Sequence, residues 1–165
     1  MPILPNPPSR LTIIIVNYNG ETLLKPCLDS VLSQKKFFSN FNIIVVDNAS
    51  EDNSLSVLNH YLNDIELIKN KKNVGFSAAH NQLIPQLKTD YMWLLNTDTL
   101  FEHTIDVFNP ILNYLDKHPN VSGLSPKLLN TDGSLQSQGG GLNQWVYHAK
   151  KTRKVSFLCG AALFI

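Results

Sequence analysis

Four short polar clusters stand out in the 165 residues for the chemistry they can do: Asn17-Tyr18-Asn19, Asp47-Asn48, Asn73-Val74-Gly75 and Asn96-Thr97-Asp98. Taken singly, Asn, Asp and Gly are ordinary turn residues. Each cluster, however, follows an apolar run or lies in the loop after one. In an open parallel sheet, ligands bind outside the carboxyl ends of the strands, so four such clusters together make a polar crevice. Their residue types suit a nucleotide better than a bare metal or a peptide. Tyr18 offers a flat face to a base, and Asp47 can accept a hydrogen bond from a pyrimidine ring N–H or a ribose hydroxyl. Asp98 supplies a hard carboxylate oxygen, and Asn96 adds an amide carbonyl or donor two positions earlier. One or two carboxylates with diphosphate oxygens and waters suit Mg²⁺ or Mn²⁺, because such ions keep several waters. The ion would neutralise the diphosphate and help it depart.

These clusters need strands to carry them, and the pattern supplies the strands. Leu11 to Val16 is a continuous β-branched run, expected where both faces of a strand are covered. Asn19-Gly20 breaks it, and Leu24, Leu28, Val31 and Leu32 then recur at helical spacing from about Glu21 to Gln34. Asn42 to Val46 is a second strand ending at Asp47. Capping residues at 50–53 introduce a helical stripe of Val57, Leu58, Tyr61 and Leu62. Ile65 to Ile68 is a short third strand, and a helix through Ala78, Ala79 and Leu83 stops near Pro85. Tyr91 to Leu95 is a fourth strand. A helix from about Glu102 to His118, kinked or restarted at Pro110, leads to a fifth strand at Val121 to Ser125. The alternation predicts an α/β fold, a mostly parallel sheet flanked by helices. Beyond Pro126 the pattern changes: Asp132-Gly133 suits a hairpin turn. Gly139-Gly140-Gly141 reads as a loop, since no helix follows that would make it a phosphate cradle.

Composition narrows the partners. Fourteen Lys and Arg against thirteen Asp and Glu leave a net charge of +1, which gives no electrostatic footprint for nucleic acid. The length suits one domain. Four prolines in residues 1–10 mark a flexible tail without the apolar core of a signal peptide, so the domain is expected over 11–165. Cys27 and Cys159 have no metal-site spacing and read as reduced, buried thiols of a cytoplasmic protein. No apolar run reaches the length of a spanning helix. The five histidines, His60, His80, His103, His118 and His148, show no ligand spacing; only His80 falls near a candidate cluster.

Five segments in order carry a resemblance: IIIVNYNG at 13–20, IIVVDNASEDNS at 43–54, NVGFSAAHN at 73–81, LLNTDT at 94–99 and SPKLLNTDGSLQSQGGG at 125–141. Together they resemble the N-terminal half of an inverting family-two glycosyltransferase with the Rossmann-like GT-A nucleotide-diphospho-sugar fold, in its bacterial rhamnosyltransferase-like branch. That resemblance implies transfer of sugar from a dTDP- or UDP-linked donor to a glycan or lipid-linked acceptor, as in cell-wall or polysaccharide synthesis. It implies Tyr18 and the Val16 backbone at the base and Asp47 on the base's ring N–H. Asn73, Gly75 and Asn81 would shape the base and ribose pocket. The family's Asp-x-Asp stands here as Asn96-Thr97-Asp98, leaving Asp98 as ligand to Mg or Mn and Asn96 as a ribose or diphosphate contact.

In the family, a Gly-Ala-apolar strand such as that at 159–165 leads into an acceptor-side segment carrying the acidic general base. No acid of this sequence matches that motif, so no catalytic base is assigned and the acceptor-side half is expected to be missing. Peripheral attachment at the inner face of a membrane would then fall to that part. Two other readings stand beside the transferase. One is a donor-binding fragment without turnover, for which Asp132 is the first carboxylate to test as an overlooked base. The other is a receiver-like signalling domain phosphorylated on Asp47 or Asp98. The latter requires an acidic pair after the first strand, where Asn17-Tyr18-Asn19 stands instead.

Overall fold

The computed structural model describes residues 9–136, 139–141, 144–145, 157–158 and 160–165. Strands and helices alternate as β1 (Leu11–Asn17), α1 (Glu21–Ser33), β2 (Phe41–Asp47), α2 (Ser54–Asn59), β3 (Glu66–Lys69), α3 (Phe76–Asn81), β4 (Tyr91–Leu95) and α4 (Phe108–Lys117). Short strands β5 (Gly139–Gly141), β6 (Gln144–Trp145), β7 (Phe157–Leu158) and β8 (Ala162–Phe164) follow. The main sheet has the order β3-β2-β1-β4-β8; its first four strands are parallel, and β8 runs antiparallel to β4.

Side-chain parity sorts the sheet's two faces, because successive strand residues point to opposite sides. Odd-numbered Leu11, Ile13, Ile15, Ile43, Val45, Trp93 and Leu95 join the larger core, which includes Leu24, Leu28 and Val31 of α1, Leu58 of α2 and Phe108 and Leu112 of α4. Even-numbered Ile14, Ile44 and Val46 pack with Ala79 of α3 and Leu83 on the other face. Both faces of β1 and β2 are therefore apolar, the physical origin of their unbroken hydrophobic runs. Trp93 anchors the larger core, with Phe101, Phe108 and Phe164 rings at centroid distances of 5.0, 5.4 and 3.8 Å.

Four sequence expectations need correction. The fourth helix begins at Phe108 rather than near Glu102. The buried Gln34 side chain donates to the Glu102 carbonyl at 3.2 Å and accepts the Val107 N–H at 3.1 Å, which holds 102–107 in irregular backbone. Pro110 then falls in the first turn of α4, where a missing N–H removes no intrahelical bond. Val121 to Ser125 is not a strand. Only Leu124 exchanges backbone hydrogen bonds with Phe164, at 3.0 and 2.8 Å, and Gly123 and Pro126 flank it. The fifth place in the sheet belongs to β8.

The glycine run, expected as a loop, forms β5 between β6 and β7, where backbone pairing needs no side chain. Arg10, assigned to the tail, belongs to the fold. Its amide donates to the Asn40 carbonyl at 3.2 Å, and its guanidinium reaches Asp90 at 3.2 Å and Asp116 at 2.8 Å. The hairpin forms as expected, with Leu129 bridged to Leu135 and Gly133 at φ +81°. No described helix is long and apolar enough to cross a membrane.

Candidate functional site

A cleft of about 370 Å³ opens at the carboxyl ends of β1, β2 and β4. Val16 and Tyr18 enter it from β1 and the turn after it, with Leu23 beside them from α1. Asn48 follows β2, Asn73, Gly75 and Phe76 come from the loop into α3, and Asn96, Thr97 and Asp98 follow β4. Six of the eight sequence-predicted residues thus meet here: Val16, Tyr18, Asn73, Gly75, Asn96 and Asp98. Tyr18, in the turn after β1, is 49% exposed.

Asp47 and Asn81 do not join them. Asp47 is 1% exposed and its carboxylate is spent inside the fold. One oxygen accepts Asn17 Nδ2–H at 2.9 Å and Ser50 Oγ–H at 2.6 Å, and the other accepts the Ser50 N–H at 3.1 Å. Asp47 is the last residue of β2, and Asn48, the next residue and itself buried, lines the cleft. The sequence reading noticed Asn48 but gave it no role. Asn81 is exposed at the end of α3, on the side away from buried Ala79, and does not line the cleft.

A lattice of amides stiffens the cleft's β2 side. Asn48 Nδ2 donates to Asn73 Oδ1 at 2.8 Å, and Asn48 Oδ1 accepts from Asn70 Nδ2 at 3.0 Å and the Val74 N–H at 3.1 Å. Gly75 donates its own N–H to Asn73 Oδ1 at 2.9 Å from a backbone at φ +82°, ψ 167°, a conformation suited to glycine. Gly20 has a steric role: a Cβ there would lie 2.3 Å from Asn17 Oδ1.

Residues 12–157 match the sequence profile of Glycosyl transferase family 2. The chain belongs to that family. Among curated relatives, the teichoic acid poly(glycerol phosphate) polymerase of Staphylococcus epidermidis is 30% identical over 120 residues, 70% of this chain and 16% of that protein. Among solved structures, a Pyrobaculum calidifontis mannosyltransferase in complex with GDP-Man and Mn²⁺ superposes with a TM-score of 0.60 at 21% identity, covering 73% of this chain and 36% of that one. S. aureus TarS in complex with UDP-GlcNAc gives 0.57 at 20% identity, covering 88% and 37%. The sheet with its flanking helices is thus the GT-A nucleotide-diphospho-sugar transferase fold, and the chain spans well under half the length of these proteins.

The electrostatics of this family-two domain are sparse. Among the described residues, Asp98 is the one carboxylate lining the cleft, and no three His, Cys, Asp or Glu side chains gather at one point. That donor set fits an ion that keeps its waters and borrows oxygens from a ligand, not a dedicated protein cage. Beneath it, Cys27 Sγ lies 3.7 Å from the Asn96 carbonyl. Burial, and secondarily the charge of Asp98, push its thiol up to about 12. His80 is buried behind Phe76, with Nδ1 donating to the Phe76 carbonyl at 2.9 Å and Nε2 without a partner. Its burial lowers the pKa and keeps the ring neutral. Asp132 lies in the hairpin, away from the cleft-lining residues. Hydrogen bonds from the Ser134 hydroxyl and amide hold its carboxyl below the ordinary range, the wrong direction for a general base.

Proposed function

We propose that the cleft holds a UDP- or dTDP-linked sugar and that the whole enzyme transfers this sugar, with inversion, to a glycan or lipid-linked acceptor. One observation carries the reading: an aromatic face, a fixed amide lattice and a single carboxylate converge on the same side of the sheet at three adjacent strand ends. Tyr18 packs on the base, with the Val16 backbone at its edge, and Asn96 contacts ribose or diphosphate. Asp98 holds Mg²⁺ or Mn²⁺, and the bound ion supplies charge neutralisation for the departing diphosphate. The nucleotide-sugar complexes of the mannosyltransferase and of TarS support a donor of this class. A rhamnosyl donor rests on the sequence resemblance alone, whereas the polymerase relative supports a role in cell-wall polymer synthesis.

The second reading, donor binding without turnover, is favoured by Asp98 being the one acid in the cleft among the described residues, since a carboxylate engaged on a metal is not free to deprotonate an acceptor. Calorimetry with UDP and dTDP, each with Mn²⁺ and with EDTA, tests the binding site. Affinity should fall at least about tenfold with EDTA, because a bare diphosphate and Asp98 repel. In Asp98→Asn the EDTA effect should vanish. Equal binding of the unaltered chain in both conditions removes Asp98 from the metal role. Efficient sugar transfer by this chain to an added acceptor would refute the second reading.

A further inference from the structure

Phe76 lines the cleft from the start of α3 with 44% of its surface exposed, yet its ring is held on two sides. Behind it stands the buried His80 ring, 4.3 Å away between centroids and tilted by 54°. The same histidine donates Nδ1–H to the Phe76 carbonyl at 2.9 Å, so ring and backbone are fixed together. At the ring's far edge, Cε1 lies 3.9 Å from the place a Cβ on Gly160 would occupy. A single exposed aromatic is ordinary on a protein surface. A backed, edge-fixed ring in the wall of a polar cleft is a platform with little ordering left to lose on binding.

The ring runs along the order of the strands. Its root is on the β2 side, where the neighbouring Gly75 N–H and Asn48 Nδ2 both donate to Asn73 Oδ1. Its tip is at Gly160, and the carbonyl of the next residue, Ala161, accepts the Asn96 N–H at 3.0 Å. In the order β2-β1-β4-β8, a base over Tyr18 and a diphosphate beside Asp98 put whatever the diphosphate carries next to residue 160. We infer that Phe76 is the platform for the transferred group, and that this group is a pyranose laid with a C–H face against the ring. The negative π face attracts the polarised C–H groups of a sugar, and the contact takes apolar area out of water. A pyranose with three adjacent C–H groups on one side, as in galactose, offers the widest such face, whereas an open-chain polyol offers none of fixed shape. Phe76 thereby selects by the sugar and not by the base. This inference rests on the nucleotide-sugar reading of the cleft.

Calorimetry in Mn²⁺ is the test, with UDP or dTDP, whichever binds more tightly, and with the glucose and galactose donors of the same nucleotide. The unaltered chain is compared with Phe76→Leu, which keeps an apolar side chain against His80 but has no aromatic ring. Both hexose donors should lose about three- to tenfold in affinity in the variant, while the bare diphosphate changes by less than about twofold. In proton spectra of the unaltered chain, the ring protons of the bound hexose should move upfield under the aromatic ring current. That shift should be absent in Phe76→Leu and present in Phe76→Tyr. If Phe76→Leu does not fold, the spectra of the unaltered chain still decide, since unmoved hexose protons overturn the inference. Equal losses for the diphosphate and its hexose donors give the ring to the base and overturn it too, as does no loss for either or a diphosphate that binds while neither donor does. Failure of both diphosphates and their donors to bind overturns the nucleotide reading and this inference with it.

Discussion

Replacing Asp47 by Ala separates a structural carboxylate from a ligand-binding one. Three donors lose their acceptor: Asn17 Nδ2, the Ser50 hydroxyl and the Ser50 N–H. A hydrogen bond to a charged group contributes about 1.5–3 kcal/mol, and a buried donor left unpaired adds about 1–3 kcal/mol. Asn17 Nδ2 keeps a second partner in Ser50 Oγ at 3.0 Å, which limits its loss. Ser50 Oγ also accepts the Asn19 N–H at 3.0 Å, so the turn after β1 loosens when Ser50 does. The two Ser50 bonds alone come to about 3–6 kcal/mol, a large part of the roughly 5–15 kcal/mol typical of a domain. Urea unfolding followed by far-UV circular dichroism should show the midpoint falling with little change in slope. Asp47→Asn, which keeps one acceptor, should lose less. A change below about 1 kcal/mol for Asp47→Ala, with nucleotide affinity sharply reduced, would refute this reasoning and return Asp47 to the base.

Two further outcomes follow from buried titratable groups. Cys27 should resist thiol reagents at pH 8 in the folded chain and react at once in denaturant, because only the thiolate attacks and burial keeps the thiol protonated up to about 12. Its folded pKa lies above the ordinary 9.0, so the unfolded chain releases the proton first and the Cys27 contribution to stability declines from pH 9 toward about 12; Cys27→Ala, measured by urea midpoints across that range, should flatten the decline. His80 has the opposite linkage. Its folded pKa is lowered from 6.5, so the unfolded state binds a proton first as pH drops and stability falls below pH 6.5. Urea midpoints at pH 7.5 and 5.5 should differ less in His80→Gln than in the unaltered chain.

What the sequence revealed depended on how local the cause was. Strands β1, β2 and β4 were legible because burial on both faces writes an uninterrupted apolar run. Their carboxyl ends located the cleft and six of its residues. The hydrogen bonds that Asp47 makes to Asn17 and Ser50 were not legible, because they join the end of β2 to the end of β1 and to the turn that follows β2. The amide lattice of Asn48 likewise depends on Asn70, Asn73 and Val74, more than twenty residues on. Asn81 was carried by resemblance, and nothing local in its sequence tells which side of a six-residue helix faces the cleft. The late start of α4 was illegible because its cause is remote: Gln34, at the end of α1, pins both Glu102 and Val107. The place of β8 depends on pairing with β4 across a long sequence separation, which no short window contains.

That pairing sets an order of events during synthesis. β1, β2 and β3 are consecutive in the chain and pair in parallel, so the amide-rich side of the cleft is assembled from its first 75 residues. The side carrying Asp98 waits. The Asn96 N–H donates to the Ala161 carbonyl at 3.0 Å, the Thr99 hydroxyl reaches the same oxygen at 3.4 Å, and Phe164 closes over Trp93. Until residues 160–165 have left the ribosome, Trp93 lacks its Phe164 cover and the loop holding Asp98 lacks its clasp. The nascent chain therefore exposes a hydrophobic seam along the free edge of β4 throughout that interval.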